Sequence, residues 1–502
     1  MTSIGVGEPS SSAPASAWGT ARVFCLILML GVGSAAPLMA QGIRGDARST
    51  ARYIEIRGFV RDTIPRSQVT VRPDGTFEYQ GERVFCPPGL SCVRYRAGEV
   101  EHTIAFTQDI GLTAWGLGMR GLSATAQLRL RAHTGDAFVW PRADDAFDAL
   151  MAYAELDRAP FRVRAGRQST TGGLGFASYD GVHALYQPDP SLHAEAYVGR
   201  SLARGLAEPR NEALRGIEDF LPDRNVYLIG AAAGATPIAG LNLDLRYQRE
   251  IFSDRSALVS ERASLDATGT LGSWHGTASA DWDFAFGRVG KAELRVRPPP
   301  IATGITLEAA FRRYVPYFEL WTIWGYFDPV GYTEGELVAA WTPEPRMGAT
   351  ISASLRRYQD AEAPIILQPL KEDARALQVA GWYQPAPTLT LDGYYRIEHG
   401  FGGFLSAADV SANWLASERA TLTAHGTFFQ QIQEFRAGES VVLGAGGSTD
   451  YRVTERVTIA GGAMLYRQTL TNRSGQPDWN QKRAWLSLRL TFGRDPGLRA
   501  RD

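Results

Sequence analysis

Leu241-Asn-Leu-Asp-Leu-Arg-Tyr-Gln248 is the stretch whose reading decides the fold. Successive side chains of an extended chain point to opposite faces. Leu241, Leu243, Leu245 and Tyr247 therefore share one face, and Asn242, Asp244, Arg246 and Gln248 the other. Period two predicts a β-strand with one wet and one apolar side. Lys291-Ala-Glu-Leu-Arg-Val-Arg297 reads the same way, as do Ile305-Thr-Leu-Glu-Ala-Ala-Phe-Arg312 and Leu389-Thr-Leu-Asp-Gly-Tyr-Tyr-Arg396. From residue 103 onward, segments of about ten residues repeat this alternation and break at a turn, as membrane-crossing strands do.

The turns carry more information than the strands. Short ones fall at 118–121, 157–160, 188–191, 236–239, 342–346, 384–387 and 416–419. Longer connections cover roughly 134–146, 169–179, 201–224, 316–332, 359–372 and 469–482. Short and long connections alternate, the asymmetry of a transmembrane antiparallel up-and-down β-barrel with tight periplasmic turns and long extracellular loops. Residues 103–493 hold 21 candidate strands, and Tyr53-Ile-Glu-Ile-Arg-Gly-Phe-Val60 supplies one before them. The total is about 22, within a range of 18–22, and an even count leaves both ends in the periplasm. The expected organisation is a signal peptide at 1–40, a periplasmic tail at 41–50, a barrel at 51–493 and a C-terminal tail at 494–502. Residues 62–102 form either a long outer loop or a small subdomain; a plug over 50–100 is the alternative.

Composition agrees. The chain has 502 residues, 44% hydrophobic and 21% charged, which excludes a bundle of long apolar helices. With 11% aromatic residues it is not a disordered chain. Its 52 basic and 53 acidic residues leave no basic excess for nucleic acid. Arg22, the apolar run 23–33 and Ala40 before Gln41 read as a secretory signal cut after Ala40, against a buried helix of a cytosolic domain. Cys25 leaves with it, and Cys86 and Cys92, closing a Pro-Pro-Gly turn, read as a disulfide in an oxidising compartment. A zinc site would need two more ligands that no clustered histidines offer.

At this point the chain resembles Gram-negative outer-membrane porins, the alginate-export-like porins in particular. The resemblance rests on the architecture over 50–493 and on Arg162-Val-Arg-Ala-Gly-Arg-Gln168 followed by Gly172-Gly-Leu-Gly-Phe-Ala-Ser-Tyr-Asp-Gly-Val182. Many such porins have a strand ending in Gly-Arg-Gln, then a Gly-rich loop, then Asp-Gly. Ala484-Trp-Leu-Ser-Leu-Arg-Leu-Thr-Phe492 looks like the assembly signal of outer-membrane proteins, although ten residues follow it. The resemblance implies outer-membrane lipid and the barrel assembly machinery as partners.

Arg129, Arg131, Arg162, Arg164, Arg246, Arg295, Arg297, Arg312, Arg396 and Arg489 fall on the polar faces of their strands. A charge facing lipid at mid-membrane costs roughly 2–4 kcal/mol, so those faces should line a wet lumen. Arg167 is out of phase across Gly166, and a bulge there would turn it inward. An unpaired arc of Arg129, Arg131, Arg162, Arg164 and Arg167 would favour anions; pairing with lumenal carboxylates would leave the lumen merely polar. The stretch 314–332, with Tyr317, Trp321, Trp324 and Tyr326, is a candidate aromatic loop in the pore or a self-packed outer loop. Seven scattered histidines, no His-Glu-x-x-His and no Gly-x-Ser-x-Gly argue against an enzyme, and no cofactor is implied. The expected function is diffusion of small hydrophilic solutes, anions among them, through an outer-membrane pore. A scaffold barrel holding a partner and a soluble periplasmic β-propeller are the alternatives.

Overall fold

The computed structural model describes residues 42–73, 77–84, 86, 91–135, 146–202, 225–254, 256–317, 330–359, 373–400, 403–433, 439–471 and 479–493. Strand β1 is Gly42–Ile64; three short strands follow, β2 (Thr70–Val71), β3 (Phe77–Tyr79) and β4 (Glu82–Val84). Then come β5 (Cys92–Trp115), β6 (Leu122–Gly135), β7 (Phe147–Arg158), β8 (Phe161–Gly172), β9 (Gly175–Asp189), β10 (Leu192–Ser201), β11 (Val226–Ile238) and β12 (Leu241–Phe252). Next are β13 (Leu258–Leu271), β14 (Trp274–Asp283), β15 (Arg288–Arg297), β16 (Ile305–Tyr314), β17 (Tyr332–Glu344), β18 (Met347–Tyr358) and β19 (Asp373–Ala386). The chain ends with β20 (Leu389–Gly400), β21 (Gly403–Ser417), β22 (Ala420–Gln433), β23 (Glu439–Arg452), β24 (Val457–Thr471) and β25 (Trp479–Gly493).

Twenty-two strands form one antiparallel sheet. Each pairs with its neighbours in the chain, and β1 pairs with both β5 and β25, which closes the ring. This is the expected barrel of 22 strands, and a single closed sheet excludes the propeller. Strand β16 shows why it forms. Leu307, Phe311 and Arg313 are exposed, while Glu308 and Arg312 between them bond to β15 and β17. Leu337, Leu355, Leu465 and Leu486 are bare on the outside in the same way. Such a surface carries a penalty of about 25 cal/mol per Å² in water and none in lipid.

Three sequence expectations need correction. Residues 42–50 are not a tail; they are the first half of β1, in register with β25 from Arg44↔Gly493 to Ile54↔Arg483. The outer row here is Gly45, Ala47, Ser49 and Ala51, too small to give an apolar signal. At Gly45 the place of a Cβ is filled by the ring of Phe492 from β25. Secondly, the outer connection is not 62–102, because β1 runs to Ile64 and β5 starts at Cys92. What lies between carries the small sheet β2–β3–β4. Ile64, Val84 and Cys92 pack at its base with Val69, Phe77, Tyr79 and Cys86, and Cys86 is bonded to Cys92. Thirdly, 169–179 is not an irregular loop; β8 and β9 run through it and turn at Gly173-Leu174. Residues 1–40 and 494–502, the expected signal and C-terminal tail, lie outside the described residues.

Candidate functional site

The inner wall of β15–β20 is a chain of alternating charges. On β15, Lys291 and Arg295 flank Glu293 at 3.2 and 2.5 Å. Arg295 and Arg297 reach Glu308 of β16 at 3.1 and 2.6 Å. Arg312 bridges Glu293 and Glu334 at 3.3 and 3.4 Å. Arg356 of β18 continues to Glu334 at 3.0 Å and Glu398 at 3.4 Å, and Arg396 closes on Glu398 at 2.5 Å. Alternation puts every second residue inside, and strand register sets opposite signs side by side. These arginines are therefore paired.

The expected arc on β6 and β8 is paired too. Arg129 meets Asp109 at 2.6 Å and Arg131 meets Asp148 at 3.6 Å. Arg162 meets Asp157 at 3.0 Å, and Arg164 meets Glu155 at 2.5 Å while lying over the Tyr153 ring. Arg246 lies 3.5 Å from Glu195. Arg167 is not turned inward. Its neighbours Gly166 and Gln168 hold the lumenal phase, so it shares the face of Val163 and Ala165 and pairs with Asp180 at 2.7 Å.

One segment leaves the wall. Strand β8 pairs with β7 only as far as Arg167, and β9 pairs with β10 only up to Tyr179. Beyond these points β8 and β9 pair with each other alone, down to Gly172↔Gly175. Gly166, at the point of departure, has φ +127°, and a Cβ there would strike the Ala152 carbonyl. The ribbon tip then reaches the inner faces of β12 and β13. Arg246 donates to Thr170 Oγ1 at 2.9 Å, and Arg262 donates to the Leu174 carbonyl at 3.2 Å. The sites of absent Cβ atoms at Gly172 and Gly173 abut Arg246, Ser264 and Asp266. β12 lies three strands from β9, about 14 Å around the wall. The ribbon thus crosses the inside of β10 and β11. Tyr179, Tyr197 and Leu228 beneath it are buried as a small core within the lumen.

A second segment meets the first. Past the end of β16, Tyr317 lies with its ring 3.9 Å from the Arg262 guanidinium carbon. Arg262 thus anchors both inward elements. It lies in the lumenal phase of β13 with Ser260 and Ser264, yet its flanks Glu261 and Ala263 gave no clear alternation in sequence. Trp321, Trp324 and Tyr326 lie outside the described residues.

The seam between β25 and β1 differs from the rest of the wall. Arg48 and Arg489 face each other in register, with Arg52 and Arg483 higher on the same inner face. All four are exposed to the lumen. Arg48 donates to Ser487 at 3.1 Å. Arg483 donates to Gln481 at 3.0 Å and lies over Tyr466. Among the described residues none of the four has a carboxylate partner. Arg489 was legible in sequence; Arg48 was not, because 41–50 read as a tail, and Arg52 and Arg483 stand at the margins of their candidate strands. Lumenal carboxylates without arginine partners are held otherwise: Asp392 accepts from Ser411 and Asn413, and Asp409 lies 3.3 Å from His425. Among the described residues no group of three His, Cys, Asp or Glu could hold a metal.

No family model matches the chain, and no curated protein matches its sequence. Among solved structures it is similar to a mutant of the ferric enterobactin receptor from Pseudomonas aeruginosa in complex with enterobactin. Identity is 11% and the TM-score 0.52, over 89% of this chain and 81% of that one. It is also similar to OccK2 of Pseudomonas aeruginosa in complex with glucuronate, with 10% identity, 89% and 98% coverage and a TM-score of 0.37. A BenF-like porin from Pseudomonas fluorescens Pf-5 gives 8%, 90% and 100%, with a TM-score of 0.37. Fold and lumen together define a large closed β-barrel of the membrane-spanning kind: 22 strands with an apolar outer face around a wet, charged interior narrowed by inward segments.

Proposed function

We propose that this barrel is a porin-like channel for passive or facilitated diffusion of small hydrophilic solutes, with anions favoured. The observation that carries the reading is the seam of Arg48, Arg52, Arg483 and Arg489, which have no carboxylate partner among the described residues, whereas Arg129, Arg312 and Arg356 elsewhere on the wall are paired. Like charges set directly opposite on a sheet repel. Unpaired guanidiniums in confined water raise the local potential and draw anions. The narrowing is the β8–β9 ribbon, with Arg262 holding Tyr317 beside its tip. The resemblance to alginate-export-like porins belongs to this proposal, since its quoted stretch builds that ribbon. So do export by a signal cut after Ala40 and insertion by the barrel assembly machinery.

The test is conductance of the purified protein in planar bilayers under a salt gradient. The expected wild-type reversal potential lies on the anion side. Arg48→Glu with Arg489→Glu is expected to move it toward cations. A conducting double variant with wild-type selectivity would overturn the anion reading, and a barrel that never conducts would support the scaffold reading.

A further inference from the structure

Two pairs of consecutive arginines, Arg312-Arg313 and Arg356-Arg357, straddle the wall. Arg312 and Arg356 join the lumenal network, so alternation sends Arg313 and Arg357 outside. They flank Thr333 in register, two strand spacings or about 10 Å apart. Arg375 of β19 is exposed on the same outer face. Among the described residues Asp373, in register with Arg357, is the carboxylate set against them. Neither Arg313 nor Arg375 has an ion pair among the described residues.

Their height is what gives them meaning. Directly below lie Phe311, Leu355 and Leu377, bare on the outside. On β19 Tyr383 marks the short-turn edge of the apolar face, and Arg375 stands eight residues above it. Eight residues rise about 20 Å in a tilted strand, which reaches the upper edge of an apolar band about 25 Å tall. A base on the lipid face costs little there, and its stem can lie along the apolar surface while the charge reaches the headgroups. At the short-turn edge the same strands carry Trp341 and Tyr383 instead.

We propose that Arg313, Arg357 and Arg375 form a docking surface for a phosphate-bearing lipid headgroup of the outer leaflet. Guanidinium pairs phosphate oxygens in a bidentate fork. Bases at this spacing can hold two phosphates of one headgroup or of neighbours. The inference rests on the outer-membrane reading and not on conduction, so its test reads lipid binding alone.

The experiment uses the purified full barrel in detergent, with phosphorylated lipid A and the same lipid dephosphorylated as probes, and native mass spectrometry as the readout. Wild type is expected to retain the phosphorylated lipid in preference. Arg313→Gln with Arg375→Gln should lose affinity for it by about fivefold per arginine, about 25-fold in all. Arg313→Lys with Arg375→Lys should keep most of it. Equal retention of the two lipids by wild type overturns the proposal without any variant. A folded Gln variant with wild-type retention overturns it too, as does displacement of the lipid by equimolar inorganic phosphate. A failure of the channel to conduct leaves these outcomes unchanged.

Discussion

Arg262→Ala should unseat the constriction. Its guanidinium bonds the Leu174 carbonyl at 3.2 Å and stacks on Tyr317 at 3.9 Å, so one substitution removes a contact from each of two inward segments. A hydrogen bond from a charged donor contributes about 1.5–3 kcal/mol, and a partly desolvated cation–π contact about 0.5–2. Losing both costs about 2–5 kcal/mol, which raises the population of unseated states about 30- to 5,000-fold. Single-channel recording is the assay. Wild type should hold one steady open level, and the variant should add excursions to a wider one. The complementary variant is Gly173→Ala: a Cβ there would strike the Asp266 carboxylate and the Ser264 hydroxyl, so it should push the tip off the wall and add the same excursions. Arg262→Ala recordings indistinguishable from wild type would refute the anchoring role.

Three further outcomes follow from the same geometry. Leu488→Arg should impair insertion by about 2–4 kcal/mol while Leu488→Val is tolerated, because this side chain faces lipid; yields of heat-modifiable barrel report both. Arg164→Ala should lower the unfolding free energy by about 1–3 kcal/mol by stranding Glu155 and should shift selectivity toward cations, while Arg164→Ala with Glu155→Ala should leave selectivity unchanged, since the pair carries no net charge. Unreduced peptide mass spectrometry should find Cys86 and Cys92 two hydrogens lighter than the dithiol, and Cys86→Ser with Cys92→Ser should still insert.

The barrel was legible wherever large apolar residues alternate with charged ones, as at Leu241–Phe252. It was illegible where Gly45, Ala47, Ser49 and Ala51 stand in for them, because residues that small carry no apolar signal. The lumenal phase of most candidate arginines was equally readable, since it follows from period two. Their partners were not. Whether Arg164 meets Glu155 depends on the offset between β7 and β8, which no local pattern states. Gly172 and Gly173 read as a loose loop; in the fold they are the places where backbone must pass close to Arg246, Ser264 and Asp266.

The great length of β1 and β5 has a consequence of its own. They pair with each other from Gly42↔Trp115 to Ile64↔Cys92, but β25 follows β1 only to Ile54, and β6 follows β5 only to Thr103. Among the described residues the last ten or so of the pair have no strand on either side, and they run on roughly 25 Å with the disulfide-bonded sheet at their head. This is a mast at the long-connection end of the barrel. A free-standing ribbon has two open edges, which invite edge-to-edge pairing with a neighbour's mast unless charges keep them apart. Asp62 and Arg94 pair with each other across the ribbon, and Glu99 and Glu101 of β5 are exposed on it. A peptide grafted at the head of the mast would be displayed well clear of the bilayer, and neutralising Glu99 and Glu101 would let barrels tie to one another like zippers.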